Sequence, residues 1–130
     1  MDSSIIALFG EAQKGELLKG YYCEKLDELF DYFGEPPPQT QGLFFAVRTL
    51  LYHHALIYFR VNQEGFSDED YLECLNLLNN SLEKDFRLEA LFLPGVGSKK
   101  LIERGGLLCR CHKSLFIMNE QDFYDFVTDQ

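Results

Sequence analysis

Residues 4–10 have the sequence Ser-Ile-Ile-Ala-Leu-Phe-Gly, and this short run decides the predicted fold. The run is continuously apolar and ends at Gly10, which is typical of a strand that is buried on both of its faces. Strands of this kind belong to parallel sheets, whose neighbouring strands are joined by crossover helices. The rest of the chain should therefore alternate between helices and strands.

Two helices are predicted on either side of a proline-rich connector. Residues 26–33 place leucine and phenylalanine at helical spacing until Gly34 ends the pattern. Residues 34–41 contain three consecutive prolines and are predicted to form a stiff connector. Residues 43–51 then form a second, largely buried helix that ends near His53.

Three further strands and three further helices are predicted beyond this point. The strands cover residues 55–61, 88–93 and 107–118, the last with a bend near His112. The helices cover residues 67–80, residues 99–104 and a final segment after Asn119. Ser67 and Asn119 are the expected N-caps, since each has an aspartate three residues later.

The composition agrees with one folded domain over residues 1–130. The 130 residues are 46% hydrophobic and include 12 Phe and 7 Tyr, which is too apolar and aromatic for a disordered chain. Together with the alternation of elements, this predicts an α/β fold: a small Rossmann-like three-layer sandwich with a four-stranded, mostly parallel sheet. The strand order stays open, because two orders fit the same succession of elements.

Charge and cysteine usage restrict the partners and the compartment. Against 21 Asp and Glu, 12 Lys and Arg give a formal net charge of -9, opposite in sign to a phosphate-binding surface. Nucleic acid and membrane are therefore not expected partners, and no apolar run approaches the roughly 20 residues of a membrane span. Residues 5–9 also lack the basic leader of a signal peptide. The cysteines are too few for a disulfide framework, which favours a cytoplasmic location.

Two loops form the predicted ligand-binding region, because ligands of open α/β sheets bind beyond the carboxyl ends of the strands. Residues 10–15 follow the first strand and residues 94–100 follow the third. Their glycines let backbone N–H groups converge, and a serine and a lysine stand where a helix begins. The predicted binding residues are Gly10, Glu11, Lys14, Gly95, Gly97, Ser98 and Lys99. The loops lack the full dinucleotide and P-loop signatures, and the same residues also suit a strand end, a turn and a helix cap.

A metal site is not predicted, although Cys109, Cys111 and His112 are residue types that bind zinc. On a strand the two thiols share one face and the imidazole points to the other, so the three would not converge on one ion. Whether they have a metal role stays open at this stage. His53 and His54 are expected to cap the end of the second helix. No catalytic residue and no cofactor is predicted.

These observations favour a noncatalytic binding or regulatory domain that interacts with a protein partner, because no acid–base or metal constellation stands out. The alternative is a domain that binds a phosphate-bearing small molecule or nucleotide with the loops after the first and third strands. The alternative has a structural requirement. The two loops must lie together, with their backbone N–H groups free to meet a ligand.

Overall fold

The computed structural model describes residues 4–82 and 87–128, which form an α/β fold with a five-stranded mixed sheet and five helices. The strands are β1 (Ser4–Gly10), β2 (Gly20–Cys23), β3 (Ala55–Arg60), β4 (Arg87–Phe92) and β5 (Leu115–Ile117). The helices are α1 (Leu26–Phe33), α2 (Gly42–Leu51), α3 (Asp68–Leu82), α4 (Lys99–His112) and α5 (Glu120–Thr128). None of these described helices is long and apolar enough to cross a membrane.

The strand order in the sheet is β2-β3-β1-β4-β5, with β1 at the centre. Strands β3, β1, β4 and β5 are parallel, and β2 is antiparallel to β3 at one edge. Residues 7–10 of β1 are buried, which agrees with the apolar run that predicted a central parallel strand. The chain places β3 on one side of β1 and β4 on the other, so the topological switch point lies between β1 and β4.

Side chains of β1 alternate between two apolar cores. Ile5, Ala7 and Phe9 pack into a core that includes residues of α3 and α4. Leu8 belongs to a second core that includes residues of α1 and α2. Helices therefore cover both faces of the sheet, and the period-two alternation of β1 distributes its apolar side chains between them.

The predicted count of four strands is wrong, because the described residues contain a fifth strand, β2. This strand has only four residues, Gly20–Cys23, and it pairs with β3 alone. The sequence did not predict this strand, because it follows a polar stretch that contains glycine. Pairing to β3, rather than local sequence, determines the conformation of β2. A Cβ on Gly20 would lie 2.7 Å from Cδ1 of Ile57, so a larger residue at this edge would need the end of that side chain to shift.

The strand predicted over residues 107–118 is also wrong, because α4 continues to His112 and β5 covers only Leu115–Ile117. The two glycines that suggested a helix end lie inside α4. Gly105 is buried there, and a Cβ on it would lie 2.9 Å from the Phe116 ring. Glycine costs a helix about 1 kcal/mol relative to alanine, but here it allows α4 to pack closely on β5.

Local signals at several helix ends are confirmed. Helix α1 ends at Gly34, whose φ is 71° and whose N–H donates to the Phe30 carbonyl oxygen at 2.8 Å. Asn119 caps α5, since its side-chain oxygen accepts the N–H of Asp122 at 2.7 Å. Ser67 precedes α3 as predicted, but its hydroxyl bonds to the backbone of Gln63 instead of capping the helix.

The end of α2 is capped by backbone groups of the two histidines rather than by their rings. His53 has a φ of 66°, and its N–H donates to the Leu50 carbonyl oxygen at 3.0 Å. The N–H of His54 donates to the Thr49 carbonyl oxygen at 3.1 Å. This pair of bonds is a Schellman motif, with histidine at the left-handed position where glycine is more common.

Candidate functional site

The two loops predicted to bind a ligand begin at adjoining strands. Strands β1 and β4 pair in parallel, and Leu8 is the register partner of Phe92. The carboxyl ends of both strands, and the loops after them, therefore meet at the switch point of the sheet. The phosphate-binding alternative requires the two loops to lie together, and this pairing makes them begin at neighbouring strand ends. The second requirement concerns the backbone N–H groups of these loops.

The carboxylate of Glu64 accepts hydrogen bonds from backbone N–H groups at this edge of the sheet. Its Oε1 accepts the N–H of Glu11 at 3.1 Å and that of Gly42 at 3.0 Å. Its Oε2 accepts the N–H of Gln41 at 2.6 Å. In return, the N–H of Glu64 donates to a side-chain oxygen of Glu11 at 2.9 Å. The protein thus places an anion of its own at the N-terminus of α2, where the helix dipole favours negative charge.

Gly10 has a packing role beside this carboxylate. A Cβ on Gly10 would lie 2.9 Å from Cα of Gly42, and a Cβ on Gly42 would lie 2.9 Å from Cα of Gly10. The hydroxyl of Tyr58 fills the adjacent space and donates to the Glu11 carbonyl oxygen at 3.0 Å. Two glycines are therefore needed because the end of β1 touches the start of α2 backbone to backbone.

Gly95 is held in a similar way by neighbouring segments. The N–H of Gly95 donates to Oδ2 of Asp122 at 2.9 Å. A Cβ on Gly65 would lie 2.5 Å from the carbonyl oxygen of Gly95. Gly65 and Gly95 both have positive φ, 86° and 82°, which glycine adopts without strain. The N–H of Gly65 donates to the Tyr71 hydroxyl at 2.7 Å. The loop after β4 is thus joined to the loop after β3 and to α5.

The remaining predicted residues lie near the surface. Lys14 is exposed, and its backbone N–H donates to the Phe33 carbonyl oxygen at 3.1 Å. Ser98 stands at the N-cap position of α4 without a side-chain cap bond, and Lys99 is exposed beside it. Gly97 is half-buried between these groups and β4. Exposed Lys14 and Lys99 are thus the cationic members of the predicted set.

Sequence reasoning missed Glu64 and Asp122, the two side chains that accept hydrogen bonds from backbone N–H groups of the predicted loops. Glu64 follows β3 closely, so the rule that sites form beyond strand ends pointed toward it. Burial raises the pKa of the Glu64 carboxyl, although the N–H groups that it accepts act in the opposite direction. Burial also raises the pKa of Tyr58 and Tyr71, so both hydroxyls stay protonated and available as donors at neutral pH.

The cysteines of α4 do not have the arrangement expected from a strand. Cys109 is buried and Cys111 is exposed, so the helix separates the two thiols. His112 is engaged elsewhere, with its Nε2 at 2.7 Å from the side-chain oxygen of Asn79. Across residues 4–82 and 87–128, no group of three His, Cys, Asp or Glu side chains is placed to hold a metal ion.

The buried thiols are weak nucleophiles in this structure. Burial raises the pKa of Cys23 and of Cys74 to about 12 and that of Cys109 to about 11. The thiolate is the reactive form of cysteine, and it is scarce at neutral pH when the pKa is this high. These three side chains therefore act as apolar members of the two cores.

A solvent-open apolar cleft of about 410 Å³ lies between α2 and β5. Its apolar walls come from β1, α2, β4 and β5, and include Ile6, Leu8, Phe45, Phe92 and Ile117. Helix α2 packs over β1 and β3, while α4 joins β4 to β5 on the opposite face of the sheet. The cleft forms because the described helices leave the face of β4 and β5 beside α2 open. We call this surface the α2–β5 cleft.

Polar side chains line the rim of the α2–β5 cleft, and Arg48 is the cationic one. Arg48 and His54 both line it, together with Thr49, Tyr52 and Asn119. The Arg48 guanidinium lies 5.5 Å from the centre of the Phe45 ring, and it forms no ion pair with any residue that the structure describes. His54 Nδ1 lies 3.7 Å from a carboxylate oxygen of Glu89. An apolar ligand surface that carries an acidic group would complement this rim.

Helix α2 is less buried than its sequence predicted. Phe44 and Leu51 are more than half exposed, and Tyr52 directly after the helix is also exposed. The apolar residues on all sides of α2 were the sequence signal for this exposed surface, because packing on the sheet covers only one side of a helix. The chain matches no protein-family model, no curated protein and no solved structure in comparisons with known proteins.

Proposed function

We propose that this chain is a noncatalytic binding or regulatory domain that interacts with a protein partner through the α2–β5 cleft. The open apolar cleft is the observation that carries this proposal. Its volume is about 410 Å³, and its walls are apolar through residues that include Leu8, Phe92 and Ile117. Contiguous exposed apolar surface on a folded protein marks an interaction site, because burying it is favourable.

The engaged polar groups at the switch point support a noncatalytic role. Glu64 accepts three backbone N–H groups, and Asp122 accepts the N–H of Gly95. General acid–base catalysis needs a titratable group with access to a substrate proton. These carboxylates serve instead as acceptors that join loops to helices.

We also propose a Rossmann-like architecture and a cytoplasmic location for this domain. Parallel strands in the order β3-β1-β4-β5, with helices on both faces, support a Rossmann-like three-layer sandwich to which β2 adds an antiparallel edge. The four cysteines are free thiols, which supports a reducing, cytoplasmic compartment.

A phosphate-bearing small molecule is the second candidate ligand, favoured by the adjoining ends of β1 and β4. Exposed Lys99 at the start of α4 supplies positive charge there. The carboxylates of Glu64 and Asp122 oppose it, because they already accept N–H groups of both loops. A thermal-shift series with inorganic phosphate and nucleotides tests this candidate, since a ligand of the folded form raises the melting temperature. A flat series would reject it.

The main proposal is tested by selecting peptides from a random displayed library against the full chain. Ile117→Lys places a charge in the cleft at a side chain that is already 40% exposed, so the fold should accept it. We expect selected peptides to bind this variant at least about tenfold more weakly than the unmodified chain. Phe66→Ser is the matched control, since Phe66 is 79% exposed and does not line the cleft.

Two results would contradict the proposal. Selection could yield no peptide that binds the chain, or it could yield peptides that bind the Ile117→Lys variant as tightly as the unmodified chain. In the second case the peptides bind elsewhere, and the α2–β5 cleft is not the interaction surface.

A further inference from the structure

We propose that two copies of this chain associate symmetrically, with helix α5 of each copy docked in the α2–β5 cleft of the other. This inference rests on the proposed function, because it names the partner of the same cleft. It is carried by the exposed aromatic side chains of α5, the apolar cleft beside this helix, and the unlike charges of Glu120 and Arg48.

Helix α5 provides the convex surface. Phe123 and Tyr124 are 55% and 63% exposed, although both are large aromatic side chains on a helix of nine residues. The inner side of the same helix holds Asp122, which is buried, and Phe126, which packs against the core beside α3 and α4. Aromatic residues are enriched at the centres of protein interfaces, so this outer pair is a suitable anchor.

The α2–β5 cleft provides the concave surface. Its floor is apolar, through Leu8, Phe92 and Ile117, and can receive aromatic rings. Its rim carries Arg48, whose contact within the described residues is the Phe45 ring rather than a carboxylate. Arginine is also a frequent anchor in interfaces, where its guanidinium stacks on rings and pairs with carboxylates.

Each surface carries a charged side chain that could pair with the other, Glu120 on α5 and Arg48 on the cleft rim. The chain carries a net charge of -9, so a second copy meets general repulsion unless the contact brings unlike charges together. Glu120 is exposed in the first turn of α5, next to the aromatic pair. Docking α5 in the cleft of a second copy would bring this carboxylate toward Arg48 on the cleft rim.

The two surfaces are adjacent, as a symmetric dimer requires. Asn119 lines the cleft and also caps α5, so the helix begins where the cleft ends. A two-fold contact uses the same patch on both copies, and the patch must therefore contain both complementary halves. Each docking contact then forms twice. An unrelated helix in the cleft would leave Phe123 and Tyr124 exposed, whereas a second copy covers them as well.

Sedimentation equilibrium of the full chain, from about 1 µM to about 100 µM, tests the proposal. We expect a reversible change from the monomer mass of 15.1 kDa to twice that mass. Tyr124→Ser in α5 and Ile117→Lys in the cleft should each weaken the dimer at least about tenfold. Phe66→Ser is the control and should leave the dimer unchanged. If Ile117→Lys lowers the melting temperature, the exposed substitution Arg48→Glu replaces it.

Mixing the two variants distinguishes reciprocal docking from any other dimer. A dimer of either variant alone lacks both intact contacts, because every contact pairs a helix with a cleft. A mixed dimer keeps one intact contact, since the Tyr124→Ser chain retains its cleft and the Ile117→Lys chain retains α5. We therefore expect the mixture to dimerise more tightly than either variant by itself.

A chain that stays monomeric throughout this range would overturn the inference, as would a dimer that neither variant weakens or that mixing does not restore. These outcomes are separable from the proposed function. A monomer whose cleft still binds selected peptides refutes only self-association, and a variant-sensitive dimer without peptide binding shows that the cleft serves the second copy alone.

Discussion

Replacing Glu64 with alanine should destabilise the protein by about 2–4 kcal/mol, because the carboxylate joins three segments that are distant in sequence. It accepts the N–H groups of Glu11, Gln41 and Gly42. A hydrogen bond to a charged group contributes about 1.5–3 kcal/mol, so the two partly buried bonds, to Glu11 and Gly42, account for about 3–6 kcal/mol before offsets. The bond from Gln41 is exposed, and water replaces it at low cost. Burial of the carboxylate, which raises its pKa, offsets part of the gain.

Urea denaturation followed by circular dichroism at neutral pH measures this loss. Glu103→Ala is the matched control, because Glu103 is an exposed glutamate on α4 and its loss should change stability by less than about 0.5 kcal/mol. Added formate should then stabilise the Glu64→Ala variant more than the unmodified chain, because a small carboxylate can return to the vacated N–H groups. Sodium chloride at equal ionic strength controls for screening.

A loss no larger than that of Glu103→Ala would refute the reasoning about Glu64. It would mean that water satisfies the three N–H groups as well as the carboxylate does. Equal effects of formate on both proteins, with a large loss on substitution, would show that Glu64 stabilises the fold by packing rather than as an anion at the N-terminus of α2.

Gly10→Ala should lower the free energy of unfolding by about 2–4 kcal/mol in urea denaturation, because the added Cβ would lie 2.9 Å from the Gly42 backbone. Gly106→Ala inside α4 is the control and should be neutral or slightly stabilising, because the nearest atom to its added Cβ is 4.0 Å away. The raised pKa of Glu64 means that the folded protein binds the proton of this carboxyl group more tightly than the unfolded chain does. The part of the stability that is linked to this proton is therefore complete below the usual pKa of 4.5 and is lost as the pH rises through the raised pKa, whereas the hydrogen bonds of the carboxylate remain. Glu64→Gln should abolish this fall when unfolding is measured from about pH 4 to about pH 7. A thiol reagent should modify the exposed Cys111 rapidly in the native protein and should reach the other three cysteines only in denaturant, because burial raises their pKa. Rapid modification of more than one thiol would contradict the buried placement of Cys23, Cys74 and Cys109.

Several features of this fold were decided by neighbours along the chain, and the sequence alone determined them. The apolar run of β1 predicted a buried central strand, because burial on both faces requires apolar residues at consecutive positions. Gly34 ended α1 and Asn119 began α5, since caps depend on groups within one helical turn. The alternation of helices and strands followed from the same local signals.

The tertiary structure decided what depends on contacts between distant segments. Two glycines in α4 indicated a break, but the close approach of Phe116 to Gly105 allows the helix to continue. Strand β2 exists because β3 offers it a pairing edge. Such pairings overrule weak local propensities, which differ by only about 1 kcal/mol per residue.

The candidate site shows the same division. Sequence indicated the loops after β1 and β4 as a binding region, and the strand order does bring their ends together. It could not indicate that Glu64, separated from Glu11 by 53 positions, occupies the backbone N–H of that residue. Nor could it indicate the α2–β5 cleft, which exists because α4 crosses from β4 to β5 on the other face of the sheet. Local sequence specified elements with strong local signals, such as β1 and α1, whereas the side of the sheet on which a helix packs depends on the whole chain.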